Sequence, residues 1–96
     1  MINGNAKAFI EELFYQDHCA VFKNTKYYFN ACQCKFDKNH KVVSAVLEIY
    51  NLSDHSLFFS AEYDNCSKCI EAFENAPIFN GKTFWQVEKD IEWVDC

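Results

Sequence analysis

Val42-Val43-Ser44-Ala45-Val46-Leu47-Glu48-Ile49-Tyr50 alternates along its whole length. Val43, Ala45, Leu47 and Ile49 fall on one side, and the period of two in a strand turns all four toward a core. The stretch contains no Gly or Pro, so it predicts an uninterrupted strand, and its neighbours can be read outward from it. Asn51 to Ser56 turns the chain, and Leu57 to Tyr63 makes another run. Upstream, Cys19 to Lys23 and Lys26 to Phe36 flank Asn24-Thr25, a short hairpin turn, and Phe36 to Lys41 is a polar break. Sequential strands joined by tight turns predict an antiparallel meander of about four strands.

Three amphipathic helices are expected to cover this sheet. Lys7 to Gln16 places Phe9, Ile10, Leu13 and Phe14 on one stripe, with Asn5 in front as a cap. Asp64 or Asn65 can cap a second helix, in which Cys66, Cys69, Ile70 and Phe73 recur at i, i+3, i+4 and i+7, and Pro77 ends it. Thr83-Phe84-Trp85-Gln86 matches a capping box and predicts a third helix that carries Phe84, Val87 and Ile91 inward. The fold class is therefore α+β. It is a single two-layer domain over residues 1–96, with one N-terminal and two C-terminal helices. Val42, Val46 and Tyr50 point to the second sheet face, joined by either Tyr27/Phe29 or Tyr28/Phe36. That face is either an interaction surface or the seat of the first helix.

No apolar run approaches the length of a membrane span, and Met1 to Lys7 lacks the regions of a signal peptide, so the expectation is a cytoplasmic protein with reduced thiols. All nine basic residues are lysines, and the net charge of -5 is unevenly distributed. Residues 1–53 hold six lysines against five carboxylates, whereas residues 54–96 hold three against nine. The second half would repel a phosphate backbone, which disfavours direct nucleic-acid binding, and attract a basic protein surface. Solvated surface charge is the alternative reading.

Cys32-x-Cys34 and Cys66-x-x-Cys69 form the sharpest constellation. A C-x-C on a strand sends both sulfurs to one face, and a C-x-x-C on a helix sends both to one stripe, so the four can complete a tetrahedral zinc site. Disulfides and inert core thiols remain open beside it, because Cys66 and Cys69 share their stripe with Ile70 and Phe73. A cysteine nucleophile needs a histidine within reach. His18 and Cys19 are adjacent and face opposite ways on a strand, while His40 and His55 lie in polar turns. Glu11-Glu12, Glu71/Glu74 and Glu88/Glu92 fall on outward helix faces, and no phosphate loop or hydrolase motif is present. The expectation is that the protein is not an enzyme.

The segment Ile78-Phe79-Asn80-Gly81-Lys82-Thr83-Phe84-Trp85-Gln86-Val87-Glu88, followed by Asp90-Ile91-Glu92-Trp93, resembles the ending of small uncharacterised proteins of Firmicutes, their phages and mobile elements. The Phe9-Ile10-Glu11-Glu12-Leu13-Phe14 helix and the Tyr27-Tyr28-Phe29 strand occupy similar places in those proteins. In size and acidity the chain is also similar to anti-CRISPR and other anti-defence proteins. These likenesses imply an interaction protein and bring no catalytic residues. The expected docking surface comprises Glu71, Glu74, Glu88, Asp90, Glu92 and Asp95, with Trp85 and Trp93 as anchors on one helical face and a basic, nucleic-acid-handling protein as the partner. The alternatives are a zinc-stabilised structural domain and a homodimer formed through the outer sheet face.

Overall fold

In the computed structural model, which describes residues 1–96, the alternating stretch forms the longest strand, β4 (Val42–Asn51). Ala45, Leu47 and Ile49 are fully buried along it. Val43 has the inward parity but is exposed at the start of the strand. One edge of β4 carries β5 (Ser56–Tyr63), paired from Ala45 opposite Tyr63 to Asn51 opposite Ser56.

The other edge is shared by two shorter strands. β2 (Thr25–Phe29) pairs with Asn51 to Ile49, and β3 (Gln33–Phe36) pairs with Val46 to Val42. The run predicted from Lys26 to Phe36 is thus broken at Asn30-Ala31-Cys32, and the cause is a competition for backbone donors. Asn30 N still donates to Glu48 O at 3.0 Å. The next two amides leave the ladder: Ala31 N donates to Asp17 Oδ1 at 2.6 Å, and Cys32 N to Leu13 O at 2.8 Å. Between Phe29 and Gln33 the chain advances four residues while β4 advances three, from Ile49 to Val46, so the diversion is a bulge.

β1 (His18–Phe22) joins β2 through a tight hairpin. Its two turn residues are Lys23 and Asn24, both at positive φ (49° and 66°), rather than Asn24 and Thr25. This is the backbone a two-residue hairpin requires. β6 (Ile91–Val94) then pairs with the free edge of β1, placing Ile91 opposite Phe22 and Trp93 opposite Ala20. The sheet has six strands rather than about four, and it is antiparallel throughout.

The helices also depart from expectation at the C-terminal end. α1 (Ala6–Glu12) and α2 (Cys66–Asn75) form where the stripes predict, and Asn65 Oδ1 caps α2 by accepting from Lys68 N at 2.9 Å. Phe14, expected on the first stripe, lies beyond α1 and is largely exposed. The capping box of Thr83 and Gln86 is present, but the helix it starts, α3 (Phe84–Val87), lasts one turn. A 3-10 turn at Glu88–Asp90 follows, and the chain enters β6. Ile91 therefore reaches the core from a strand, whose pairing with β1 satisfies backbone groups on both. The N-terminus shields the outer edge of β6: Ile2 N donates to Ile91 O at 2.9 Å, and Asn3 Nδ2 to Trp93 O at 2.7 Å. The Met1 ammonium pairs with the Glu88 carboxylate.

All three helices lie on one face of the sheet. Phe9 of α1, Phe29 of β2, Phe73 of α2 and Phe84 of α3 close a ring of four buried aromatics. Successive centroid distances are 5.0 Å (Phe9 to Phe29), 5.5 Å (Phe29 to Phe73), 5.5 Å (Phe73 to Phe84) and 6.0 Å (Phe84 to Phe9). The first two contacts are edge-to-face, the arrangement that ring quadrupoles favour. The N-terminal helix thus does not cover the second face. Tyr28 joins Val46 and Tyr50 there, as their half-buried alternation with the core residues shows.

Two of the six cysteines are joined, contrary to the expectation of reduced thiols: Cys19 of β1 and Cys96, just beyond β6, form a disulfide on the outer face. It closes a span of 77 residues, and removing such a link costs about 2–4 kcal/mol. A reductant should therefore lower the melting temperature of the wild type and leave a Cys19→Ser variant unmoved; equal melting of the wild type with and without reductant would contradict the bond. In the core, Phe73→Ala should destabilise the fold by about 3–5 kcal/mol in denaturant titration, the cost of emptying a fully buried aromatic position.

Candidate functional site

The bulge that breaks β3 away from β2 also sets the position of two thiols. Cys32 lies two residues before Cys34, and Cys34 stands opposite Ala45, whose side chain faces the core. Both sulfurs are thereby carried to the helical side of the sheet. α2 crosses above this point. The Cys69 thiol donates to Ala45 O at 3.2 Å, and Cys66, the first residue of α2, lies one turn away. The two cysteine pairs singled out by spacing thus meet at one end of the interlayer space.

Their surroundings differ. Cys32 and Cys69 are buried, Cys66 is half-buried and Cys34 is exposed, and none of the four is in a disulfide. Burial pushes the Cys32 thiol far above its ordinary pKa, and the neighbouring Cys66 and Cys69 thiols push it further. Burial likewise raises Cys66, with Cys34 and Cys69 adding to the rise while a hydrogen bond with Cys32 works against it. As the side chains stand, no three His, Cys, Asp or Glu groups form a ready ligand set.

The predicted acidic surface is only partly assembled. Trp85 Nε1 of α3 donates to Glu74 Oε2 of α2 at 2.8 Å, and Glu71 lies one turn earlier on α2. Trp85 is 43% exposed. Next to Glu71, a depression of about 340 Å³ is lined by Tyr63, Lys68, Ala72 and Asn75. The other residues are dispersed. Glu88 is engaged by the N-terminal ammonium, and Asp90 is exposed in the 3-10 turn. Glu92 stands opposite Val21 on the outer sheet face, and Asp95 is exposed beyond β6. Trp93 does not share a helix with Trp85; it lies on β6 with its ring against Phe9 and His18, at 5.4 and 4.7 Å.

The histidines show no thiol partnership. His18 turns inward while Cys19 turns outward into its disulfide. His18 Nε2 is 3.2 Å from Glu12 Oε1, within ion-pair reach but outside hydrogen-bond geometry. His40 and His55 occupy turns at positive φ. On the outer face, Tyr28, Asn30, Tyr50, Leu52 and His55 line a second depression of about 310 Å³, and the Tyr28 hydroxyl donates to Asp17 Oδ2 at 2.6 Å. Sequence reading did not find this depression, because it depends on β2 and β4 being neighbours.

Comparison with known proteins found no matching family model, no matching curated protein and no matching solved structure. No helix is long and apolar enough to cross a membrane.

The raised Cys32 thiol has a defined consequence for stability. Above about pH 9 the unfolded chain ionises this thiol and the folded chain does not, so folding weakens as pH rises. Denaturation midpoints measured across that range should fall less steeply for Cys32→Ala than for the wild type. At neutral pH, a thiol reagent should modify Cys34 first, with Cys32 and Cys69 protected until unfolding; loss of the fast phase in Cys34→Ser checks the assignment.

Proposed function

We propose that the chain is a non-enzymatic binding protein that docks on a basic protein surface through Glu71, Glu74 and Trp85. The observation that carries this reading is the exposed indole held in place by Glu74. Large aromatic side chains anchor interfaces, and an indole already fixed in position loses little freedom on binding. The carboxylates around it favour a cationic partner and speed encounter through long-range attraction. A partner that handles nucleic acid presents such a surface, and covering it would exclude phosphate. An inhibitor of a defence nuclease, in the manner of anti-CRISPR proteins, fits this chemistry together with the small size and acidity of the chain.

Trp85→Ala should weaken the complex by ~30-fold, the scale of an anchor residue. Glu71→Lys should slow association and reduce its dependence on salt. Binding measured by surface plasmon resonance at low and high ionic strength reads both effects. A partner indifferent to salt and to both substitutions would overturn the proposal, as would turnover of a substrate abolished by replacing one Cys or His. Light scattering on the same sample separates this reading from a homodimer formed through the Tyr28, Val46 and Tyr50 face, for which the mass would be twice that of the chain.

A further inference from the structure

We propose that Cys32, Cys34, Cys66 and Cys69 form a binding site for one zinc ion that pins β3 to the start of α2. Nothing in this inference depends on the acidic face. It rests on a convergence of two independent elements. The bulge at Asn30-Ala31-Cys32 turns the C-x-C toward the helices, and the helical repeat of α2 turns the C-x-x-C toward the sheet. Both meet over Ala45, which pairs with Cys34 and accepts the hydrogen bond from Cys69.

The chemistry of the cluster favours a soft divalent cation. Zinc binds four thiolates tetrahedrally, and the four displaced protons pass to solvent. The present side-chain positions leave the set open. Cys32 and Cys69 are buried, whereas Cys34 is exposed and Cys66 half-buried, so the site requires the two outer thiols to turn inward about χ1.

The site also falls at a short, exposed edge of the sheet. β3 is four residues long, all exposed, and β4 is its only partner in the sheet. Its ion pair from Lys35 to Glu62 of β5, at 3.4 Å, lies on the solvated outer face and contributes little. A metal bridging β3 to α2 would fasten this end from the buried side.

Titration of the reduced-thiol protein with Co²⁺ tests the site directly. The expected result is one equivalent bound per chain, with the intense visible bands and near-ultraviolet sulfur-to-metal transition of tetrahedral thiolate coordination, both bleached by zinc. Zinc should raise the melting temperature. Cys34→Ser and Cys66→Ser should each lose more than the ~10–100-fold in affinity that removing a mere supporting partner costs, while Cys19→Ser binds as the wild type does. Less than half an equivalent of metal, an octahedral spectrum, or undiminished affinity in the Cys34 and Cys66 variants would overturn the proposal. The wild-type spectrum decides the matter even if a variant fails to fold.

Discussion

The contact of Phe29 with Phe9 on one side and Phe73 on the other is the point at which the two layers become one structure. Phe29 belongs to the sheet, while its two neighbours belong to helices nearly at opposite ends of the chain. Phe84 completes the circuit by touching both helical rings. None of the helices could be stable alone, since α1 has seven residues and α3 four, well below the length at which isolated helices persist in water. Their order comes from burial against this ring.

The sheet is built unevenly around that centre. Near Phe29, β4 is paired on both sides and covered by helices, and its inward residues Leu47 and Ile49 are fully removed from solvent. Toward β3 the covering layer thins, Val42 and Val43 are exposed, and before Ala45 β4 pairs with β3 alone. The diversion of two amides to Asp17 and Leu13 ties the end of α1 to the sheet at the expense of strand continuity. The same diversion delivers Cys32 and Cys34 to the inner face.

What could be read from the sequence was local. The alternation of β4 and the stripe of α2 are properties of a few neighbouring residues, and both hold in the fold. The shared stripe of Cys66 and Cys69 follows from the period of α2, whereas the delivery of Cys32 and Cys34 to the same side depends on the bulge. The end of the chain was illegible for the opposite reason. Phe84, Val87 and Ile91 satisfy a helical repeat, yet Ile91 and Trp93 equally satisfy a strand, and the choice depends on the vacant edge of β1 some seventy residues earlier. Everything that hinges on β6 was therefore missed together: the disulfide, the separation of the two tryptophans, and the placement of Glu92 on the outer face. The break in β2–β3 was hidden likewise, because Asp17 and Leu13 do not adjoin it in sequence.

The pairing of β6 with β1 has a bearing on biosynthesis. A strand near the start of the chain finds its outer neighbour only among the final residues, and the aromatic ring around Phe29 lacks a member until Phe84 is available. Contacts of such long sequence separation are slow to form. The hairpin of β1 and β2 can assemble as the nascent chain emerges, but the finished domain has to wait until translation has delivered residues 84–94. Until then the edge of β1 and the apolar side of α1 stay open, and this interval is when the protein is most exposed to aggregation or to a chaperone.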